Sequence, residues 1–229
     1  MTSLMRAEVE YPQPYAPFKF PDDQLALICR IFRAHLELAV QLESELKESS
    51  SLFFDAIRPL PGEQRSDYRL NGLMGTFTDL VTSLAVVNPP AAKREVAAWS
   101  DHADAIFTHL RVWASGYAAL MTPASAASTL LGVSAEVFWS SEHERDLLLA
   151  IRDRWKRWSA KQRFRIEQRI LKEPLPWFAE RDDRDDVIAF YRLNRLQWLK
   201  EQGVRFSFDE LAIMSQLRVL SPSWEEDAA

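Results

Sequence analysis

Hydrophobic residues recur every three or four positions along most of this chain, which is the spacing of the buried face of an amphipathic helix. In the first run, this face comprises Leu25, Ile28, Phe32, Leu36, Ala39 and Leu42. No alternation with the period of a strand continues for a useful length. The pattern predicts helices over about residues 22–47, 67–87, 89–120, 142–157, 160–172, 185–202 and 208–220.

Capping residues support several of these starts. Asn88 is a suitable N-cap for a helix that begins with Pro89. At three other starts, a serine precedes Glu or Gln by three residues, which is the arrangement of a capping box. These pairs are Ser141 with Glu144, Ser159 with Gln162, and Ser207 with Glu210.

The chain is predicted to have three parts. Closely spaced prolines and aromatic residues make residues 1–21 an extended arm. An amino-terminal helical layer over 22–121 and a carboxyl-terminal helical bundle over 136–225 follow, and the small residues of 124–135 form a linker between them. Short connections favour an all-α bundle of antiparallel helical hairpins, with a solenoid-like stack as the alternative.

Composition agrees with an all-α fold and a reducing compartment. Six glycines in 229 residues are few for nucleotide-binding α/β folds and β-sandwiches, which use glycine in turns and phosphate loops. Cys29, as the single cysteine, excludes an internal disulfide and a multi-cysteine zinc site. The uncharged stretch 112–135 is too polar, and too interrupted by Pro123, for a membrane span. We expect a soluble, cytoplasmic, bacterial protein without a membrane partner.

Charge is distributed unevenly. Residues 152–172 include nine basic and two acidic side chains, a local charge of +7 in a chain whose net charge is −5. A basic stripe on one helix face is predicted from Lys161, Arg165, Arg169 and Lys172. Trp155 and Trp158 lie on an apolar seam and are predicted to be core residues rather than platforms for base stacking.

The stripe has two interpretations, a nucleic-acid surface and a solvated face. The acidic segment ERDDRDD at 180–186 could neutralise much of it, and nucleic-acid-binding domains are usually basic overall. We therefore favour a solvated face and expect no nucleic-acid partner, while nucleic-acid binding remains an alternative.

Candidate chemistry is sparse. His102 and His109 share a helix face near Asp101 but lie seven residues apart, about 10 Å along the axis, which is too far to share a metal ion without further ligands. None of the phosphate-binding, dinucleotide-binding, zinc-protease or nucleophile-elbow motifs occurs. We assign no catalytic, cofactor-binding or metal-binding residue, and a helical metal-dependent hydrolase using these histidines stays as an alternative.

The carboxyl half resembles a known family over about residues 142–225. The resemblance is carried by Arg154, Trp155, Trp158, Arg163, Arg169, Ile170, Leu171 and Pro174, by NRLQWLKEQG at 194–203, and by SPSW at 221–224. The family is a helical domain of unknown function, found towards the carboxyl end of some large prokaryotic proteins that have an amino-terminal sirtuin-like domain and are associated with anti-phage defence. This chain has no glycine-rich nucleotide-binding segment that could be the sirtuin-like part.

The resemblance implies a role in sensing, scaffolding or assembly. Helical hairpins, eight tryptophans and the proline-rich arm also favour contact with other proteins. We therefore predict a non-enzymatic helical interaction module, with no cofactor, that binds a protein partner or another copy of itself.

Overall fold

The computed structural model describes residues 20–46, 56–59, 62–63, 69–99, 105–175, 177 and 182–225. The regular elements of these ranges are helices, which confirms the predicted all-α fold. None of the helices in these ranges combines the length and the apolar character needed to cross a membrane. They are α1 (Leu25–Leu46), α2 (Arg69–Val87), α3 (Pro89–Ala97), α4 (Ala105–Ser115), α5 (Pro123–Gly132), α6 (Ala135–Trp139), α7 (Ser141–Trp155), α8 (Ala160–Lys172), α9 (Arg184–Glu201) and α10 (Glu210–Leu220).

The chain divides into two compact units, residues 1–121 and 122–229. Helices α1 to α4 belong to the first unit and α5 to α10 to the second. The extended arm predicted over residues 1–21 lies outside the described residues, except for Phe20 and Pro21.

In the first unit, α1, α2 and α3 pack against one another around aromatic side chains. The ring of Phe77 on α2 stacks on Phe32 of α1 at 5.4 Å between centroids. The Trp99 ring lies 5.7 Å from the Phe77 ring and is tilted by 45° to it. Asn88 caps α3 as predicted, since its side chain accepts a hydrogen bond from the Ala91 amide. The single helix predicted over 89–120 is wrong, because α3 ends at Ala97 and α4 begins at Ala105.

In the second unit, the linker predicted over residues 124–135 is also wrong, because it forms α5 and the start of α6. Thr122 caps α5 by accepting a hydrogen bond from the Ser125 amide, and Pro123 occupies the first turn. Ala126, Ala127 and Leu130 are buried on one face. Small residues suit a helix here because they let neighbouring helices approach closely.

Helices α7 to α10 follow the predicted order with small shifts of their ends. The capping box of Ser159 with Gln162 is confirmed at the start of α8. The other two boxes are not formed, because Ser140 caps α7 and Asp209 caps α10. After α9, Gly203 has a φ of 79°, a left-handed conformation that favours glycine and ends the helix as predicted.

Candidate interaction surfaces

The basic stripe predicted on α8 is only partly a surface feature. Lys161, Arg165 and Lys172 are exposed, but Arg169 is 9% exposed and lies in the core of the second unit. The predicted four-residue stripe is therefore corrected to three exposed cations, which we call the α8 basic face. The exposed ring of Phe164 borders it.

Arg169 holds the end of α5. Its Nη1 donates to the carbonyl oxygen of Leu130 at 2.7 Å, and its Nη2 donates to those of Val133 at 2.6 Å and Ser134 at 3.2 Å. Its Nε donates to Glu173 at 2.7 Å. Carbonyl groups at a helix carboxyl end lack partners within the helix and carry partial negative charge, so a guanidinium is well suited to this position.

A second arginine, Arg195 of α9, lies against the short helix α6. Its side chain is fully buried, and its Nη1 donates to the Phe138 carbonyl oxygen at 2.5 Å. Its Nε pairs with Glu144 at 3.1 Å, and its guanidinium lies 4.3 Å from the centre of the Trp139 ring. Burial lowers the pKa of Arg195, and the nearby Glu144 carboxylate counteracts this. These contacts join α9 to α6 and to the start of α7.

The tryptophans of the basic stretch are core residues, as predicted. Trp155 and Trp158 are both buried, with ring centroids 6.2 Å apart. Their indole N–H groups donate to the carbonyl oxygens of Arg205, at 2.9 Å, and Pro123, at 3.0 Å. Each ring therefore stabilises the second unit and is not available to stack on a base.

The acidic segment predicted to neutralise the stripe is described from Asp182 onwards. Within the described residues, Lys161, Arg165 and Lys172 form no ion pair with it. Its Asp186 instead accepts a hydrogen bond from the Ser221 hydroxyl at 2.6 Å, which ties α9 to the end of α10. The remainder of the segment, residues 180 and 181, lies outside the described ranges.

Only one of the two predicted histidines lies among the described residues. His109 is buried in α4, whereas His102 lies outside the described residues. Among the side chains that the structure describes, no three or more His, Cys, Asp or Glu residues cluster closely enough to hold a metal ion.

Sequence reasoning missed an exposed apolar face on α1, and the placement of Leu42 on the buried face is wrong, since Leu42 is 43% exposed. Leu27, Ile31, Ala34, Leu38 and Leu42 are all exposed, and we call them the α1 stripe. At about 100° of rotation per residue, they lie within about 80° of one another on the helix. The four large side chains are 43–51% exposed, so the stripe is a continuous apolar surface along the helix.

The opposite side of α1 packs within the first unit. Leu25, Cys29 and Leu36 are buried there. Arg33, at the edge, donates to Glu95 of α3 and to Glu37, each at 2.8 Å. Burial opposes the charge of Arg33, but these two carboxylates outweigh it and raise its pKa. Among the described residues, the buried side chains of α1 lie on this side, so the stripe is a second apolar face. Leu27, Ile31 and Leu38 are the signal of this face in the sequence.

No protein-family model matches the chain, and neither a curated protein nor a solved structure matches it. The resemblance in the carboxyl half therefore stays a prediction. Several residues that carry it have structural contacts in the second unit. One example is Trp224, whose indole N–H donates to the Asn194 side chain at 2.6 Å and so joins the SPSW and NRLQWLKEQG segments.

Proposed function

We propose that this protein is a helical protein-interaction module that binds its partner through the α1 stripe. The observation that carries the proposal is the exposure of Leu27, Ile31, Leu38 and Leu42 along one face of a 22-residue helix. Single exposed apolar residues are ordinary, but a contiguous apolar surface is typical of a binding site.

The energy available from this surface is substantial. Fully burying a leucine or isoleucine side chain contributes about 1.5–3 kcal/mol. Because each of the four large side chains is about half exposed, a partner that covers the stripe still gains roughly half of this amount at each one. A helix or groove of apolar character is the partner chemistry that fits, since it would bury side chains at helical spacing.

The α8 basic face supports nucleic-acid binding less well. Its three cations, Lys161, Arg165 and Lys172, are fewer than the four in the predicted stripe, since Arg169 is buried against α5. Trp155 and Trp158 are buried as well. A solvated face therefore remains the favoured interpretation of these residues.

The hydrolase alternative receives no specific support from His109, which is buried in α4. We retain a part in a prokaryotic defence effector as a proposal only, on the resemblance of residues 142–225. In such an effector, the α1 stripe would provide the contact needed for sensing, scaffolding or assembly.

Photo-crosslinking in the producing cell tests the proposal. A photoreactive phenylalanine analogue replaces Leu38 in the full chain, and a matched variant carries it at Val86, an exposed valine of α2 in the same unit. We expect a discrete protein adduct from position 38 and none from position 86. Absence of any adduct at position 38, or equal labelling at both positions, would contradict a docking role for the stripe.

A further inference from the structure

We infer that the partner of the α1 stripe is a second copy of this chain, which pairs through its own α1 in an antiparallel arrangement. This inference rests on the proposed docking role of the stripe. Leu27, Ile31, Ala34 and Leu38 follow one another at spacings of four, three and four residues. This is the alternation of the two apolar positions in a coiled-coil heptad, which forms when one helix packs along another.

An antiparallel pair matches the sizes of these side chains. When the two-fold axis passes between positions 32 and 33, Leu27 faces Leu38 of the second copy and Ile31 faces its Ala34. The symmetry repeats each contact, as in an isologous interface. The small side chain of Ala34 opposite the larger Ile31 lets the helices approach closely at the centre.

Charges beside the stripe select the direction. Arg30 and Glu37 both border it on the same edge, seven residues apart. In the antiparallel pair, Arg30 of each copy lies opposite Glu37 of the other, so opposite charges meet twice. A parallel pair would instead place Arg30 opposite His35, and Glu37 opposite Leu42. Glu37 can form this contact while bonded to Arg33, because its side chain is 38% exposed.

Analytical ultracentrifugation of the purified full chain tests the self-association. We expect a monomer–dimer equilibrium that shifts with concentration. Leu38→Glu should raise the dissociation constant of the dimer about 100-fold, tenfold for each copy, because the symmetric interface loses the contact twice. Val86→Glu is the matched control and should leave the equilibrium unchanged, and circular dichroism checks that both variants fold. A chain that stays monomeric throughout, or a dimer equally weakened by both substitutions, overturns the inference.

Thiol crosslinking tests the direction. Leu27→Cys and Leu38→Cys chains, one with a mass tag, are treated with a short bis-maleimide, alone and mixed. Only the mixture should give a crosslinked dimer, because two copies of the same introduced cysteine would lie about 16 Å apart along the axis at 1.5 Å per residue. Native Cys29 is fully buried and serves as an internal blank. Efficient crosslinking of each chain with itself would instead indicate a parallel pair and overturn the inference.

Arg30→Glu provides an independent check of the charges. It should weaken the dimer, since like charges then meet Glu37 of the second copy, whereas Arg94→Glu on the exposed side of α3 should not. An unchanged or strengthened dimer in Arg30→Glu contradicts the antiparallel pair.

Different results overturn the docking role of the α1 stripe and the self-association of the chain. A monomeric chain whose photoreactive position 38 captures a different protein overturns self-association and leaves the docking role intact. A link from position 38 to residues 1–19 of the same chain identifies an internal occupant and overturns both proposals.

Discussion

Replacement of Arg169 by alanine should destabilise the second unit strongly, whereas replacement of Arg165 should not. The two residues are one helical turn apart on α8 and belong to the same predicted stripe, yet Arg169 is 9% exposed and Arg165 is exposed. The pair is therefore a matched comparison of a buried and a solvated arginine.

The magnitude follows from the bonds that are lost. Arg169→Ala removes the donors to the carbonyl groups of Leu130, Val133 and Ser134, together with the partner of Glu173. Removing one side of a buried charged interaction usually costs about 3–5 kcal/mol, because the remaining polar groups lose a partner. Of the three carbonyl groups, that of Ser134 keeps a hydrogen bond from the Phe138 amide. The guanidinium also lies 4.2 Å from the Phe138 ring centre, a contact that adds about 0.5–2 kcal/mol. We expect a loss of about 3–5 kcal/mol, since such terms do not add fully.

Urea denaturation followed by circular dichroism measures this loss. With a slope of about 2 kcal/mol per molar urea, the transition of the second unit should move down by about 2 M for Arg169→Ala. Arg165→Ala should change the free energy of unfolding by less than about 0.5 kcal/mol. Amide hydrogen exchange locates the effect, and we expect faster exchange in the last turn of α5, including the Val133 amide that donates to Thr129.

Arg169→Lys distinguishes the effect of the positive charge from the effect of the hydrogen-bond geometry. Lysine keeps the positive charge but cannot reach several carbonyl groups with a planar fork, so it should recover only part of the loss. Equal stability of Arg169→Ala and Arg165→Ala would refute the reasoning, because it would mean that the contacts at the end of α5 contribute nothing measurable.

Four further outcomes are expected. Trp155→Ala should cost about 3–5 kcal/mol in denaturation experiments because it opens a cavity, whereas Trp155→Phe should cost less. Burial, helped by the charge of Glu95, raises the pKa of the Cys29 thiol to about 12, so maleimide labelling at pH 8 should require unfolding. The stability linked to this thiol should hold below about pH 9 and fall as pH rises towards 12, because the unfolded chain ionises first. Lys161→Gln with Arg165→Gln should leave stability within about 0.5 kcal/mol, and steeply salt-dependent nucleic-acid binding by the unchanged chain would contradict a solvated face.

Local sequence was sufficient for most of the helices. The apolar spacing and the capping box at Ser159 predict α8 correctly, because both depend on residues within one or two turns. The buried state of Trp155 and Trp158 was predictable for the same reason, since they continue the apolar face of α7.

Two of the errors arose where a contact joins distant parts of the chain. Arg169 fits the spacing of a basic stripe, but its burial depends on the end of α5, between 35 and 39 residues earlier in the chain. Ser207 is similar, because it donates from both its amide and its hydroxyl to the buried Glu167 of α8 instead of capping α10. Neither partner can be read from the sequence near the residue concerned.

The α1 stripe was missed for a different reason. The sequence shows two apolar faces on α1, and a pattern that selects one buried face treats the other as incidental. The structure separates them, because Cys29 and Leu36 are buried while Ile31 and Leu38 remain about half exposed. A helix that has more apolar residues than one face can bury is therefore a candidate for a second, exposed apolar face.

The structure also changes the interpretation of the basic stretch over residues 152–172. Its charge of +7 over residues 152–172 suggests a strong surface field, but Arg154 and Arg169 are buried in the second unit. Each phosphate neutralised by an exposed cation releases roughly 0.9 counterion, so the salt dependence of binding follows the cations at the surface and not those in the sequence. The three exposed cations of the α8 basic face, together with the exposed Lys156 and Arg157, give a smaller slope than the nine basic residues of the sequence would. The apolar stripe on α1, rather than the basic run that dominates the sequence, is thus the stronger basis for an interaction.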